Sequence, residues 1–277
     1  MRELLKTVKI EHTLFSLPYL LIGGFLAGAR PMDLSTWAFI LLAGVGARGA
    51  GMLLNRIIDR RIDAANPRTA KRPLATGRLK PWLAWLGVFV FSLVLAGAAW
   101  ALNPLCFALS PVPLVAFYLY PYTKRFTPLC HFALGAAWSI APAGAWLAVR
   151  GSFAGFWPAA VLSLSVILWI AGFDIIYALL DLEFDRAHGL HSGPADWGVE
   201  KALWVSRFSH AATLALWFYM GFLMQLGLAY FLALWVVAGL FLAEHITARQ
   251  DPQTSFFTVN ALVGFVLLGG VIAGLWA

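Results

Sequence analysis

Nine apolar stretches follow one another along the chain, at about residues 13–30, 35–55, 82–102, 104–121, 129–149, 157–180, 203–226, 228–246 and 257–276. Each is near the ~20 residues that a helix needs to cross a bilayer. Gly and Pro interrupt several of them, which neighbouring helices tolerate inside a membrane. The pattern predicts an all-α membrane protein with nine transmembrane helices. Long polar segments follow the second and sixth stretches, whereas the connections on the opposite side are short and nearly uncharged.

Composition agrees with this reading. The chain is 61% hydrophobic and 12% charged, with a mean hydropathy of +0.78. A soluble domain of this length has too little polar surface for such a balance. The net charge of +7 does not imply nucleic acid, because Lys and Arg collect on the cytoplasmic side of membrane proteins. With the N-terminus placed inside, seventeen of the twenty Lys and Arg residues fall on inner segments; Arg30 and Arg150 fall outside, and Arg48 lies within the second span. This predicts a cytoplasmic N-terminus, a C-terminus outside and chemistry that faces the cytoplasm. The opening "MRELLKTVKI" is too charged, and too short in apolar length, for a cleavable signal peptide. Cys106 and Cys130 lie in apolar surroundings without a CxxC, and read as small packing residues.

The polar segments carry the candidate chemistry. "NRIIDRRIDAANPRTAKRPLATGRL", from Asn55 to Leu79, holds Arg56, Arg60, Arg61, Arg68, Lys71, Arg72 and Arg78, with Lys80 just beyond. Within this basic cluster Asn55, Asp59 and Asp63 are spaced by fours, and Arg48 stands seven residues earlier. Residues four apart share a helix face, so these form one polar stripe. A charge inside a span faces the bundle interior or a water-filled cavity; for Arg48 alone, a structural hydrogen bond to a neighbouring helix is the alternative. The pattern recurs in "GFDIIYALLDLEFDRAHGLHS". Asp181 and Asp185 are four apart, Asp174 lies seven before Asp181, and Tyr177 lies four before it. The recurrence predicts two related halves, each giving one acidic helix end at the inner face.

Two facing carboxylate clusters repel without a cation. Oxygen ligands with no His or Cys pattern suit Mg²⁺, which binds through a few carboxylates plus substrate phosphates. Acids then hold the metal, the metal holds a phosphate, and Lys and Arg hold the remaining phosphate oxygens. "YLYPYTKRF" adds Lys124 and Arg125 at the same face, with Tyr118 or Tyr122 as hydroxyl donors; the plainer reading of the two bases is a topology anchor. His188, His191, His210 and His245 are not at zinc-ligand spacing, and His191 and Ser192 read as loop residues near the site. Glu11, at the start of the first span, either faces the cavity to orient an acceptor or caps a helix N-terminus.

These residues resemble the UbiA family of intramembrane aromatic prenyltransferases. The family's N-x3-D-x3-D motif corresponds to Asn55, Asp59 and Asp63, and its D-x3-D motif after "YA" to Asp181 and Asp185. "NPRTAKRPLATGRL" looks like the loop that follows the first motif, and the likeness spans nearly the whole chain. It implies a single domain over residues 1–277, with nine helices in two related halves around a central cavity under a cytoplasmic polar cap, in a bacterial inner membrane. The implied reaction is Mg²⁺-dependent transfer of a polyprenyl chain from polyprenyl diphosphate to an aromatic acid, in ubiquinone or menaquinone biosynthesis. The implied metal ligands are Asn55, Asp59, Asp63, Asp181 and Asp185. Diphosphate contacts fall on Arg68, Lys71, Arg72, Tyr118, Tyr122, Lys124 and Arg125, and acceptor contacts on Glu11 and Tyr177. Asp59, Asp181, Arg48 and Asp174 are the expected catalytic residues.

"KIEHTLFSLPY", "GFDIIYALLDLEFDRAHGLHS" and "EHITARQDPQTSFFTVN" resemble the 4-hydroxybenzoate polyprenyltransferase-like branch, and within it enzymes of the futalosine menaquinone route, whose acceptor is 1,4-dihydroxy-6-naphthoate. Leu180 departs from that branch, which more often has a polar residue there. The expected partners are the diphosphate, the acceptor and the bilayer, with no nucleic acid and no obligatory protein partner. The rival from another class is a transporter with an inward-facing ion site. Broken helices and repeats suit it, but it leaves the basic clusters unexplained and puts the acids at helix ends instead of midway through the membrane.

Overall fold

The computed structural model describes Glu3, Thr7 and residues 13–28 and 33–276, apart from the side chains of residues 13–15 and 254–256. Glu11 lies outside these residues, as do Arg2, Lys6, Lys9 and Arg30 of the charge count. Among the described residues the chain is helical, without strands. The helices are α1 (Thr13–Leu26), α2 (Leu34–Ile58), α3 (Arg60–Ala65), α4 (Pro81–Leu102), α5 (Pro104–Leu109), α6 (Pro111–Thr123), α7 (Cys130–Arg150) and α8 (Trp157–Tyr177). After a 3-10 turn over Ala178–Asp181 come α9 (Leu182–Ala187), α10 (Gly193–Trp197), α11 (Val199–Leu223), α12 (Leu228–Thr247) and, beyond a π turn over Ser255–Val259, α13 (Asn260–Leu275).

Each of the nine predicted stretches contains a helix. Local chemistry sets the boundaries. Pro81, Pro104 and Pro111 open α4, α5 and α6, where a missing N–H costs no hydrogen bond. Gly151, at φ +65°, closes α7, and its N–H reaches Leu147 O at 2.8 Å. Only glycine adopts this left-handed cap without steric cost. The fourth stretch breaks at Ser110 because Pro111 follows it.

Among the described residues, seven helical segments are long and apolar enough to cross a bilayer: 34–58, 81–102, 104–123, 130–150, 157–187, 228–247 and 257–275. The other two expected crossings are α1, whose helix has 14 residues, and α11, which has 25 residues but is more polar. The chain is an integral membrane protein.

The helices pack unevenly. α2 lies against α4 and α6, α7 sits between α1, α6 and α8, α8 packs on α11, and α12 pairs with α13, which returns to α1. Around α8, α11, α12 and α13 the interior is filled by Tyr19, Trp169, Trp217, Tyr230 and Phe241. The polar tips of Trp169, Trp217 and Tyr230 are satisfied, as buried aromatics require, whereas the Tyr19 hydroxyl is buried without a hydrogen bond. Trp217 Nε1 donates to Ser165 Oγ at 2.7 Å, Trp169 Nε1 to Asn260 Oδ1 at 2.8 Å, and Tyr230 OH to Trp217 O at 2.7 Å.

The open volume lies on the other side. A cavity of about 620 Å³ is walled by α1, α2 and α4–α8, and is almost wholly apolar apart from Arg48, Tyr120 and a few Ser residues. The cavity expected at the centre of all nine helices is therefore bounded by α1, α2 and α4–α8. Aromatic packing fills the space among α8, α11, α12 and α13.

Small residues let helices touch, as is usual where lipid gives no hydrophobic drive to association. A Cβ on Gly46 would come within 2.6 Å of Leu95 N and 2.8 Å of Phe91 O. Gly46→Leu is expected to push α2 from α4 and to destabilise by about 1–3 kcal/mol, read as a lower Tm in detergent. Gly97→Ala, whose Cβ meets nothing within 4 Å, should leave Tm unchanged or raise it. Equal Tm values for the two variants would remove the close-packing account.

Candidate active site

The two polar segments meet at one end of the bundle. The first motif keeps its helical register across the junction of α2 and α3, because Asp59 N–H bonds to Asn55 O at 3.0 Å and Asp63 N–H to Asp59 O at 2.8 Å. Arg48, Asp59 and Asp63 are all buried, so the stripe faces inward as its spacing predicts. The second motif differs. Leu182 N–H bonds to Leu179 O, in the tighter 3-10 pattern. A 3-10 turn rotates each residue about 20° further than an α turn. Asp174 and Asp181 therefore do not form the straight stripe that their spacing suggested.

The acids and bases are paired with one another. Asp59 Oδ2 accepts from Lys124 Nζ at 2.7 Å and from Asn55 Nδ2 at 3.1 Å, while Arg125 Nη2 lies 3.6 Å from Asp59 Oδ1. Asp63 Oδ1 accepts from Arg72 Nη1 at 2.7 Å, and Arg56 Nη1 stands 3.9 Å from its other oxygen. Asp181 Oδ1 accepts from Asn66 Nδ2 and Arg68 Nε, each at 2.8 Å, and Arg68 Nη2 bonds its second oxygen. Arg68 Nη1 also donates to Tyr177 OH at 2.7 Å, and its guanidinium lies 5.0 Å from the centre of that ring. Burial works against the charge on Arg68, but its bonds to Asp181 and Tyr177 outweigh burial and raise its pKa above the ordinary value. The loop after the first motif thus lands on the second motif.

That loop is shaped by local bonds. Asn66 Oδ1 accepts Arg68 N–H at 2.9 Å, and Thr69 Oγ1 donates to Asp63 O at 3.0 Å, an Asx-type turn. The second polar loop is tied in by His191 N–H, which donates to Lys124 O at 2.7 Å. His191 and the buried Ser192 do lie beside the site.

Other predicted residues are more dispersed. Arg48 lines the cavity with its guanidinium 5.4 Å from the centre of the Trp138 ring. Asp174 Oδ2 is 2.7 Å from His131 Nδ1. Tyr118 and Tyr122 face each other, hydroxyl to hydroxyl at 3.5 Å, and Arg125 lies 4.6 Å from the Tyr122 ring centre. Lys71 is exposed and Asp185 half-buried. Three residues that the sequence did not single out belong to the site: Arg56, Asn66 and His131. An Asn before a Pro reads first as a turn, which hid the role of Asn66.

The donor set fits a hard divalent cation. It is made of carboxylate and amide oxygens, and Asp59 Oδ1 is buried without accepting a hydrogen bond. Among the described residues no three Asp, Glu, His or Cys side chains converge on one metal-sized point.

Comparison with known proteins follows the same lines. Residues 16–262 match the model of the UbiA prenyltransferase family. The chain is 33% identical over 242 residues to the 4-hydroxybenzoate solanesyltransferase of Synechocystis sp., covering 85% of this chain and 81% of that protein. The apo structure of a UbiA homolog from Aeropyrum pernix K1 is similar with a TM-score of 0.88 and 35% identity, over 95% of this chain and 98% of that one. A UbiA homolog from Archaeoglobus fulgidus, bound to GPP and Mg²⁺, shares the fold with a TM-score of 0.72 at 23% identity, over 99% and 100% of the two chains.

The pairing has a measurable cost. Lys124→Met leaves the buried Asp59 with the neutral amide of Asn55 and the more distant Arg125, and is expected to destabilise by about 2–4 kcal/mol, less than a fully buried pair because Lys124 is partly exposed. Lys124→Met combined with Asp59→Asn should cost less than Lys124→Met alone, since no uncompensated charge remains. Thermal unfolding in detergent reads both, and a double variant less stable than the single would contradict the compensation.

Proposed function

Because the chain belongs to the UbiA prenyltransferase family and is a prenyltransferase, we propose that it transfers a polyprenyl chain from polyprenyl diphosphate to an aromatic acid of the 4-hydroxybenzoate type, with a divalent cation, in quinone biosynthesis. One observation carries this reading: a set of acid–base pairs stands at one end of an apolar cavity of about 620 Å³. The curated relative's name supports the acceptor, and the GPP and Mg²⁺ of the Archaeoglobus homolog support the diphosphate and the metal. The second reading keeps the reaction and changes the acceptor to 1,4-dihydroxy-6-naphthoate; the likeness at Lys9–Tyr19 and Glu244–Asn260 supports it. Family membership sets the transporter reading aside.

Asn55, Asp59, Asp63, Asp181 and Asp185 would hold Mg²⁺, which when bound neutralises diphosphate charge. Arg68, Arg72, Lys124 and Arg125 turn from the acids to the phosphate oxygens, and they stabilise the negative charge that grows on the leaving group. The planar fork of Arg68 suits two phosphate oxygens at once. The allylic C–O bond breaks with its electron pair going to the diphosphate, and a ring carbon beside the acceptor hydroxyl attacks the prenyl carbon. Trp138, Phe117 and Tyr120, in the cavity wall, shelter the cationic carbon with their π faces. Arg48 holds the acceptor carboxylate, and Asp174 takes the ring proton as aromaticity returns. The apolar walls take the tail and exclude water.

Topology follows the charges. The excess of Lys and Arg at the motif end supports a cytoplasmic active site and N-terminus. With α1 and α11 as the remaining crossings, nine spans put the C-terminus outside. Each motif ends a long helix and opens a short one, α2 into α3 and α8 into α9, which supports two related halves under a polar cap.

The test is to incubate membranes with Mg²⁺, labelled polyprenyl diphosphate and either acceptor. A prenylated 4-hydroxybenzoate is expected; product with the naphthoate alone selects the second reading, and product with neither removes both. Chelation of the metal should stop turnover. Asp59→Ala or Asp181→Ala should lower turnover by about 100-fold or more while the protein stays in the membrane. Lys124→Ala and Arg125→Ala should raise KM for the diphosphate more than KM for the acceptor; equal shifts would return these bases to the role of topology anchors.

A further inference from the structure

His131 is the second residue of α7 and is 2% exposed. Both of its ring nitrogens are engaged. Nε2 lies 3.0 Å from the N–H of Gly193. A backbone N–H only donates, so Nε2 carries a lone pair. The proton of the neutral ring then sits on Nδ1, which lies 2.7 Å from Asp174 Oδ2 and donates to it. The tautomer follows from the partners. One rigid ring thus joins α7, α8 and the first residue of α10.

Gly193 belongs to the second polar loop, which is held from two sides. On one side His191 N–H donates to the carbonyl of Lys124, whose ammonium holds Asp59. On the other, Gly193 rests on His131. Between them Asp196 knits the loop, accepting Ser192 N–H at 3.0 Å and lying 2.8 Å from His191 Nδ1. The seat of the loop and the orientation of Asp174 therefore share one side chain.

We infer that His131 is a positioning residue that couples the seating of the 188–198 loop to the orientation of Asp174 in the prenyl transfer. A half-buried carboxylate has several rotamers, and a fixed N–H donor selects one of them. The second nitrogen ties that donor to the loop, since Gly193 N–H at Nε2 fixes the far edge of the ring. Histidine suits the task because it offers a donor and an acceptor on opposite edges of a rigid ring. Asn at this position keeps a donor near Nδ1, and Gln reaches the Nε2 position with an acceptor; neither does both. The inference rests on the proposed transfer insofar as Asp174 acts on the substrate, while the contact with the loop stands apart from it.

The full chain in detergent or lipid discs allows both parts to be read. In His131→Leu, hydrogen exchange over residues 188–198 is expected to speed up by about tenfold or more. Its kcat should fall by about 100-fold, with KM for the diphosphate within about twofold of wild type. Combining His131→Leu with Asp174→Asn should add no further loss, because the two act as one unit. His131→Asn should recover most of kcat with the loop still exchanging fast, and His131→Gln should keep the loop slow with kcat low. Unchanged exchange in His131→Leu overturns the loop contact. Multiplying losses in the double variant, or equal kcat losses in the Asn and Gln variants that track Tm alone, overturn the positioning role. A wild-type chain that prenylates neither acceptor removes the proposed reaction and with it the role of Asp174, and loop exchange then decides the Gly193 contact by itself.

Discussion

A carboxylate taken out of water must find a counter-charge, and the polar end of this bundle is organised by that requirement. Asp59 is 3% exposed and Asp63 6%. An unpaired charge at such positions is strongly unfavourable. The acids draw their partners from two segments: Asp59 from the end of α6, and Asp63 and Asp181 from the loop after α3, which reaches across the bundle to Asp181. Compensation of charge is therefore also what closes the loops over the helices. In the proposed reaction the same bonds would prepare the chemistry, since bases already held beside the carboxylates would need to move only a short way to meet a diphosphate.

The helices were legible in the sequence because the thickness of the hydrocarbon core fixes the length of an apolar run. The register of the first motif was legible because hydrogen bonds of the i→i−4 type continue through Asp59. The second motif was not. Nothing in "YALLD" announces a 3-10 turn; Ala and Leu are good α-helix formers. Asp181 there is gripped by Asn66 and Arg68, and Tyr177 by Arg68, so contacts from a distant loop attend the departure from α geometry. These contacts are separated by 115, 113 and 109 residues, and His131 is 43 residues from Asp174. Spacing rules see neighbours on one helix; they do not see partners on another.

Aromatic residues show the same divide between composition and placement. Their number suits a cation-sheltering cavity, a lipid-facing belt and a packed core alike. The structure distributes them among all three. Trp169 and Trp217 fill the core, Trp138 and Phe117 line the cavity, and Trp82, Trp100 and Trp235 point outward. Their polar partners sort the first group from the last. Trp169 and Trp217 have Asn260 and Ser165 within reach, and both partners lie in the interior.

Arg48 marks where the two environments meet. It stands about 10 Å deeper than Asn55 along α2, in the cavity wall that Gly51 and Met52 continue toward the motif. On a helix in lipid, a charge at the bilayer centre costs about 2.5–3.5 kcal/mol or more. Here the guanidinium is buried against Trp138 and turned toward the cavity. The walls around Arg48 are apolar as far as Met52, and the acid–base network begins one turn on, at Asn55. A molecule with a charged head and a hydrocarbon tail has one orientation that satisfies both regions, with its head among the pairs and its tail in the cavity. In the proposed reaction the bond between head and tail would then fall near Arg48, because the fold sets the boundary between polar and apolar surroundings there.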